Sequence, residues 1–217
     1  MSIAELRQKY HEYICQEIIR IKQDKKGAIE YPNFADGSNR SSREISWGIV
    51  RSLACSISYD NIHEQTAGDR FEVATKNFLE QAFILLQHLR PGNWYYSTVQ
   101  TAISRFRQYE HLSYVQRVVK KDKTLSAALG GNYIVTPDIV IGRWPVSDEE
   151  INREAKLLEQ EDSIAALTPL REANYDTHYP ILHASISCKW TIRSDRSQNT
   201  RTEALNLIRN RKGHLPH

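Results

Sequence analysis

The run Ser187-Cys188-Lys189-Trp190-Thr191-Ile192-Arg193-Ser194-Asp195-Arg196 carries most of the chemistry in this chain, and Glu203 follows seven residues after it. Lys189 and Glu203 are the residue types a metal-dependent phosphodiester hydrolase needs. Arg193 and Arg196, flanking Asp195, suit a different task. An arginine fork matches the O6 and N7 acceptors of guanine, and an aspartate accepts from the N4 amino group of cytosine. Side by side, the two sets point to an enzyme that reads DNA and cuts it.

Hydrolysis of a phosphodiester needs a water placed in line with the leaving oxygen and neutralisation of the charge that develops. Mg²⁺ suits this chemistry, because it takes oxygen ligands and keeps several waters, so that one or two carboxylates can hold it. Asp138 follows Pro137 beside an apolar run, Glu203 lies on the helix after the lysine, and Glu72 lies on a long earlier helix; all three are candidate ligands or supports. Each also has an ordinary reading. A lysine at a strand end is commonly a solvated edge residue, a helical glutamate a surface residue, and Asp195 a cap on a salt-bridged helix start. The combination carries the functional reading.

The elements that position these residues follow from periodicity and punctuation. Ser2 and Glu5 form a capping box ahead of Ile3, Leu6, Tyr10, Ile14, Ile18 and Ile21, which predicts an amphipathic helix over 2–23. A loop is expected over 31–42, a short helix over 43–58, and a polar loop over 61–68. A long helix over 69–89 turns Phe71, Ala74, Phe78, Ala82, Phe83 and Leu86 inward, closed by Pro91-Gly92. Residues 98–129 read as mostly helical and basic, with Arg105, Arg107, Arg117, Lys120, Lys121 and Lys123, ended by Gly130-Gly131. Tyr133-Ile134-Val135 and Ile139-Val140-Ile141 read as a buried strand broken by Thr136-Pro137-Asp138. Ser147 with Glu150 caps a helix to about residue 161, a second strand runs over 181–190, and a helix over 203–211 stops at Gly213, with Pro216 beyond. The fold class is α/β or α+β: a mostly helical half over about 1–131 and a core over about 132–217, taken as one domain. An α/β sheet normally returns with another strand after this last helix, so the end at Leu215-Pro216-His217 predicts a truncated core.

Bulk properties permit the reading. The 217 residues suffice for one domain with a real core, and 40% apolar with 25% charged residues describe an ordinary globular chain. A net charge of +3 does not announce nucleic-acid binding, so a DNA surface must come from local clustering of Lys and Arg. Cys15, Cys55 and Cys188 are scattered, without CxxC or Cys/His spacing. They predict a reduced intracellular compartment, no disulfide frame and no zinc site. No stretch is apolar enough to span a membrane, and the start of the chain lacks a charged-then-apolar leader.

Together, Pro137-Asp138, Ser187-Cys188-Lys189 and Glu203 resemble the PD-(D/E)XK nucleases in their rearranged form. An acid ordinarily stands two residues before the lysine; here that place is Ser187, and Glu203 on the next helix supplies the carboxylate. Arg193-Ser194-Asp195-Arg196 resembles the reading element of type II restriction endonucleases that cut CCGG-containing sites. The resemblance extends from the first helix to the last residue and implies a restriction-endonuclease-like core. It implies Asp138 and Glu203 as Mg²⁺ ligands, Lys189 acting on the attacking water, Ser187 in the vacated acid position, and Glu72 supporting the site. It implies Arg193, Asp195 and Arg196 as readers of the inner CCGG, and Asp36, Ser38 and Gln65 as contacts to the outer G·C pairs of GCCGGC. It further implies palindromic double-stranded DNA as the partner, a homodimer or homotetramer, a cognate methyltransferase, and a restriction-modification system of the bacterial cytoplasm.

Family members continue past the equivalent of His217, so the resemblance implies a C-terminally truncated chain. An inactive DNA-binding remnant is therefore the main alternative. A less specific repair nuclease of the same fold is another, opposed by the Arg-Ser-Asp-Arg run, because structure-specific nucleases rely on phosphate rather than base contacts. A Cys188 nucleophile served by His178 or His183 is a third.

Overall fold

The computed structural model describes residues 1–89, 92–99, 102–129, 134–159, 161, 170–174 and 179–212. These fall into two compact units, one formed by 1–82 and 187–202, the other by 83–186 and 203–217. Two of the three divisions lie inside helices, at 82/83 and 202/203, and the third follows residue 186. The sequence features at Pro91, Gly130-Gly131, Tyr133, His178, Gly213 and 215–217 lie outside the described residues.

In the first unit, helix α1 (Ile3–Tyr13) starts on the expected capping box: Glu5 N–H donates to Ser2 Oγ, and Ser2 N–H returns a bond to the Glu5 carboxylate. The expected helix does not reach residue 23. It passes into one π-helical turn (Ile14–Ile18), and Ile19 turns extended. The β-branched run then leads into strand β1 (Ile21–Gln23), antiparallel to β2 (Glu30–Pro32). Helix α2 (Arg40–Ser52) starts three residues earlier than expected, because Asn39 accepts from Ser42 N–H as an N-cap. Helix α3 (Glu64–Leu85) starts five residues early and takes in Gln65. The core of this unit is Ile14, Cys15, Ile18, Ile19, Phe34, Val50 and Ala67.

Cysteine spacing predicts no disulfide, but Cys15 and Cys55 are bonded, with Cα atoms 5.0 Å apart. The pair is 40 residues apart and joins the π-helical turn to the segment after α2, so no local spacing could reveal it. Cys188 keeps a half-buried thiol.

In the second unit, strands β3 (Asn93–Ser97), β4 (Ile139–Trp144) and β5 (Ile181–Ile186) form an antiparallel sheet in that order. Strand β3, aromatic and suited to a pleated surface, was not foreseen. The run Ile139-Val140-Ile141 is almost fully buried, as expected of a central strand. The 98–129 region divides into two 3₁₀ turns and helices α4 (Leu112–Lys121) and α5 (Lys123–Leu129). The break falls at Asp122, whose carboxylate accepts from Thr124 and Leu125 N–H and restarts the helix. Val135 is buried but outside the strand, and its carbonyl accepts from Ile103 N–H.

Helix α6 (Asp148–Ile151) keeps its Ser147 cap but stops early, because the Asn152 side chain accepts from both Leu157 and Leu158 N–H and folds the chain back. Strand β5 ends at Ile186 rather than Trp190, and helix α7 (Ser194–Asn210) begins nine residues before the expected Glu203. The class is thus mixed helix and small sheets, with antiparallel pairing throughout the described strands.

Two features of this unit carry expected outcomes. Gly142 faces Tyr95 across the β3–β4 ladder, and a Cβ there would collide with the tyrosine ring. Gly142→Ala is expected to destabilise the protein by about 1–3 kcal/mol, the usual cost of overpacking; an unchanged melting temperature would show that Tyr95 moves aside freely.

Arg171, 8% exposed at its side chain, grips Asp148 through two 2.6 Å bonds. The Arg171 hydrogen bonds hold the Asp148 carboxyl below its ordinary range. A depressed carboxyl contributes stability above its unfolded pKa, and that contribution is lost as pH falls through the folded value. Arg171→Leu is expected to lower Tm at pH 7, with the gap to wild type narrowing below about pH 4. Paired melts at the two pH values check this, and a gap that ignores pH would contradict it.

Candidate functional site

Segment 187–193 is seated in the first unit by alternate residues. Trp190 lies 5.4 Å from the Phe34 ring and 5.2 Å from the Phe71 ring, centroid to centroid, and Ile192 packs on the same core. These contacts fix the backbone immediately after Lys189, which is half-buried. Ser187 is half-buried as well, and Glu72 is half-buried on α3 one residue after Phe71.

Beyond Ile192 the chain becomes exposed. Arg193 precedes α7, and Asp195 and Arg196 stand in its first turn. Arg193 Nε lies 3.2 Å from Asp195 Oδ1, with about half of each side chain in solvent. Asp195 lies inside the first turn of α7 rather than at its cap position. An exposed pair of this kind contributes roughly 0–1 kcal/mol to stability, so both side chains are available to a ligand at little cost to the fold.

The loop holding Asp36 and Ser38 is brought to this segment. Ala35 and Ile192 form a parallel bridge, and Ile192 N–H donates to the Phe34 carbonyl at 2.8 Å. Asp36 Oδ1 accepts from the Ser38 hydroxyl at 2.6 Å and the Ser38 N–H at 3.0 Å. These bonds, with the positive charges of Arg193 and Arg43 adding to them, hold the Asp36 carboxyl below the usual carboxylate range. Arg43 also donates to the Gly37 carbonyl at 2.6 Å. Arg43 and Ser42 were not among the expected site residues. The cap residue Asn39, three positions before Ser42, was the available signal that this loop ends in a helix start. Gln65 stands exposed in the first turn of α3 rather than in a loop, its N–H donating to His63 Nδ1.

In the second unit, Asp138 is half-buried between the buried Pro137 and the first residue of β4. Glu203 is half-buried on α7, four residues before Leu207, which packs on the core of Ile103, Phe106, Tyr109, Leu112, Val135, Val140 and Leu182. The Tyr109 hydroxyl donates to the Leu207 carbonyl at 3.1 Å. Among the described residues, no group of three or more His, Cys, Asp or Glu is gathered to hold a metal. Asp138 and Glu203 are hard oxygen donors, and Mg²⁺ is satisfied by one or two carboxylates with water, so the donor chemistry fits that ion. His183, offered as a base for Cys188, packs edge-on against Trp94 and Phe83 at 4.7 and 5.8 Å between centroids. No helix among the described residues is long and apolar enough to cross a membrane.

Residues 10–217 match the family model described as NgoMIV restriction enzyme. The chain belongs to the NgoMIV restriction enzyme family. It is 46% identical over 187 residues to the type II restriction enzyme NgoMIV of Neisseria gonorrhoeae, an alignment covering 84% of this chain and 64% of that relative. The chain therefore spans less than two thirds of that relative's length.

Proposed function

We propose that this chain is a Mg²⁺-dependent type II restriction endonuclease that cuts double-stranded DNA at a CCGG-containing palindrome, GCCGGC, with residues 1–217 acting as one nuclease domain on a PD-(D/E)XK core. The observation that carries this reading is the fastening of the Asp36–Ser38 loop to the Arg193–Asp195 segment through the Ala35–Ile192 bridge. A continuous reader of outer and inner base pairs requires such a join.

In this reading Asp138 and Glu203 hold Mg²⁺, with Glu72 in support and Ser187 in the place of the usual acid. Bound there, the ion supplies positive charge beside the scissile phosphate. Lys189 presents three N–H donors at the end of an anchored backbone, which suits it to orient a water and to stabilise developing negative charge. Arg193 and Arg196 read guanines of the inner CCGG and Asp195 a cytosine. Asp36, Ser38 and Gln65 contact the outer pairs. A palindrome calls for a twofold protein, a homodimer or a homotetramer, and host DNA in the bacterial cytoplasm calls for a cognate methyltransferase.

The test is cleavage of a labelled duplex containing GCCGGC, with the inner tetranucleotide scrambled in a control, in Mg²⁺ and in EDTA. Cutting confined to GCCGGC with Mg²⁺ is expected. Cutting of both duplexes, or of GCCGGC in EDTA, would overturn the reading.

A further inference from the structure

Ser42 is buried at 6% exposure, and its hydroxyl makes two bonds at once. Ser42 Oγ donates to the Ile192 carbonyl at 2.8 Å and accepts from the Asp36 N–H at 2.9 Å. Its own N–H donates to Asn39 Oδ1 at 3.0 Å, which fixes it on the first turn of α2. A serine hydroxyl has one donor proton and two acceptor lone pairs; here the proton goes to the carbonyl next to Arg193 and a lone pair takes the Asp36 N–H, so one oxygen ties the two backbones together. The residues across this tie are the ones assigned above to the inner and outer base pairs.

We infer that Ser42 is a positioning residue for specificity: it sets the Asp36–Ser38 loop against the Arg193–Asp195 segment and so couples outer-pair to inner-pair reading. This rests on the reading of those residues as base contacts.

The two sides of the tie are unequally held without it. The 192 side keeps the Ile192 N–H bond to the Phe34 carbonyl and the packing of Trp190 and Ile192 on the core. The Asp36 side shares that Phe34 bond and keeps Arg43 on the Gly37 carbonyl, but gives up the acceptor of its backbone N–H, the bond at the residue that carries the reading carboxylate. The Ser38 bonds orient the Asp36 carboxylate only within its own loop. Loss of the hydroxyl therefore loosens the outer reader and spares the inner one.

The experiment uses the full chain with Ca²⁺ in place of Mg²⁺, so that binding is read without cutting. Affinities are measured for GCCGGC, for ACCGGT with its outer pair changed, and for GCATGC with its inner pairs changed. Ser42→Ala is expected to shrink the preference for GCCGGC over ACCGGT by about five- to tenfold, the worth of one net hydrogen bond. The preference over GCATGC is expected to stay at the wild-type value. Ser42→Thr, which keeps the hydroxyl, should keep both preferences. Hydrogen exchange at the Asp36 amide should accelerate in Ser42→Ala and not in Ser42→Thr. An outer preference unchanged in Ser42→Ala overturns this inference and leaves the base-reading assignment standing, and so does an equal loss in both variants or an equal fall in both preferences. A wild-type chain indifferent to the outer pair overturns the assignment itself, and this inference with it.

Discussion

Lys189→Ala is expected to cut GCCGGC duplexes about 10²–10³-fold more slowly than wild type, the usual loss when a single charge-stabilising donor is removed from a hydrolytic site. Binding of the same duplex in Ca²⁺ should change by less than a few fold. The expectation rests on where the side chain is rooted. Trp190, its neighbour, is held between Phe34 and Phe71, so truncating residue 189 leaves the backbone and the core in place. Lysine carries three donors and no acceptor, which suits it to a water and a phosphate oxygen and not to binding the metal. Asp138→Asn should bring an equally deep loss by a different route, weakening the hold on Mg²⁺, and partial recovery at high Mg²⁺ would separate the two. Near-wild-type cutting by Lys189→Ala with intact binding would remove the lysine from the chemistry.

The second large effect concerns specificity. Arg193→Ala and Arg196→Ala should each erode discrimination between GCCGGC and GCATGC by about 1–3 kcal/mol, or roughly five- to 150-fold, because a bidentate arginine–guanine contact has that worth. Asp195→Ala should erode it by a similar factor. Folding should be barely touched, since the Arg193–Asp195 pair is exposed and contributes little to stability. Equilibrium binding over a salt series distinguishes the outcomes. A base-reading residue changes the ratio between sequences. A phosphate-contacting residue weakens all sequences alike and lowers the salt slope by about one, and that pattern at Arg193 would overturn its assignment.

What could be read in the sequence was what is local. The capping box at Ser2 and Glu5, the buried Ile139-Val140-Ile141 strand, the strand from Ile181 and the Ser147 cap each depend on a few adjacent residues, and each is present. Where helices and strands stop depends on partners that spacing does not show. Asp122 and Asn152 end or restart helices through side-chain bonds to nearby amides. The helix expected to reach residue 23 gives way because Ile21 finds a ladder partner at Pro32. Strand β3 was hidden between a Pro-Gly break and a basic segment.

The site divides in the same manner. Lys189, Arg193, Asp195 and Arg196 share one short run, and their candidacy rests on residue types within that run. The tie from Ser42 to Ile192 and the Cys15–Cys55 bond span 150 and 40 residues and are products of the fold. Residue type alone could not mark Ser42, because serine is common at helix starts for reasons unconnected with reading DNA.

The most direct test of the central claim, a metal-dependent endonuclease specific for one hexamer, is to incubate the chain with Mg²⁺ and a library of duplexes randomised over six base pairs, and to sequence what remains uncut. Depletion of GCCGGC above all other hexamers, abolished by EDTA, is the expected result. A library left intact by folded protein, or depleted evenly across hexamers, would contradict it.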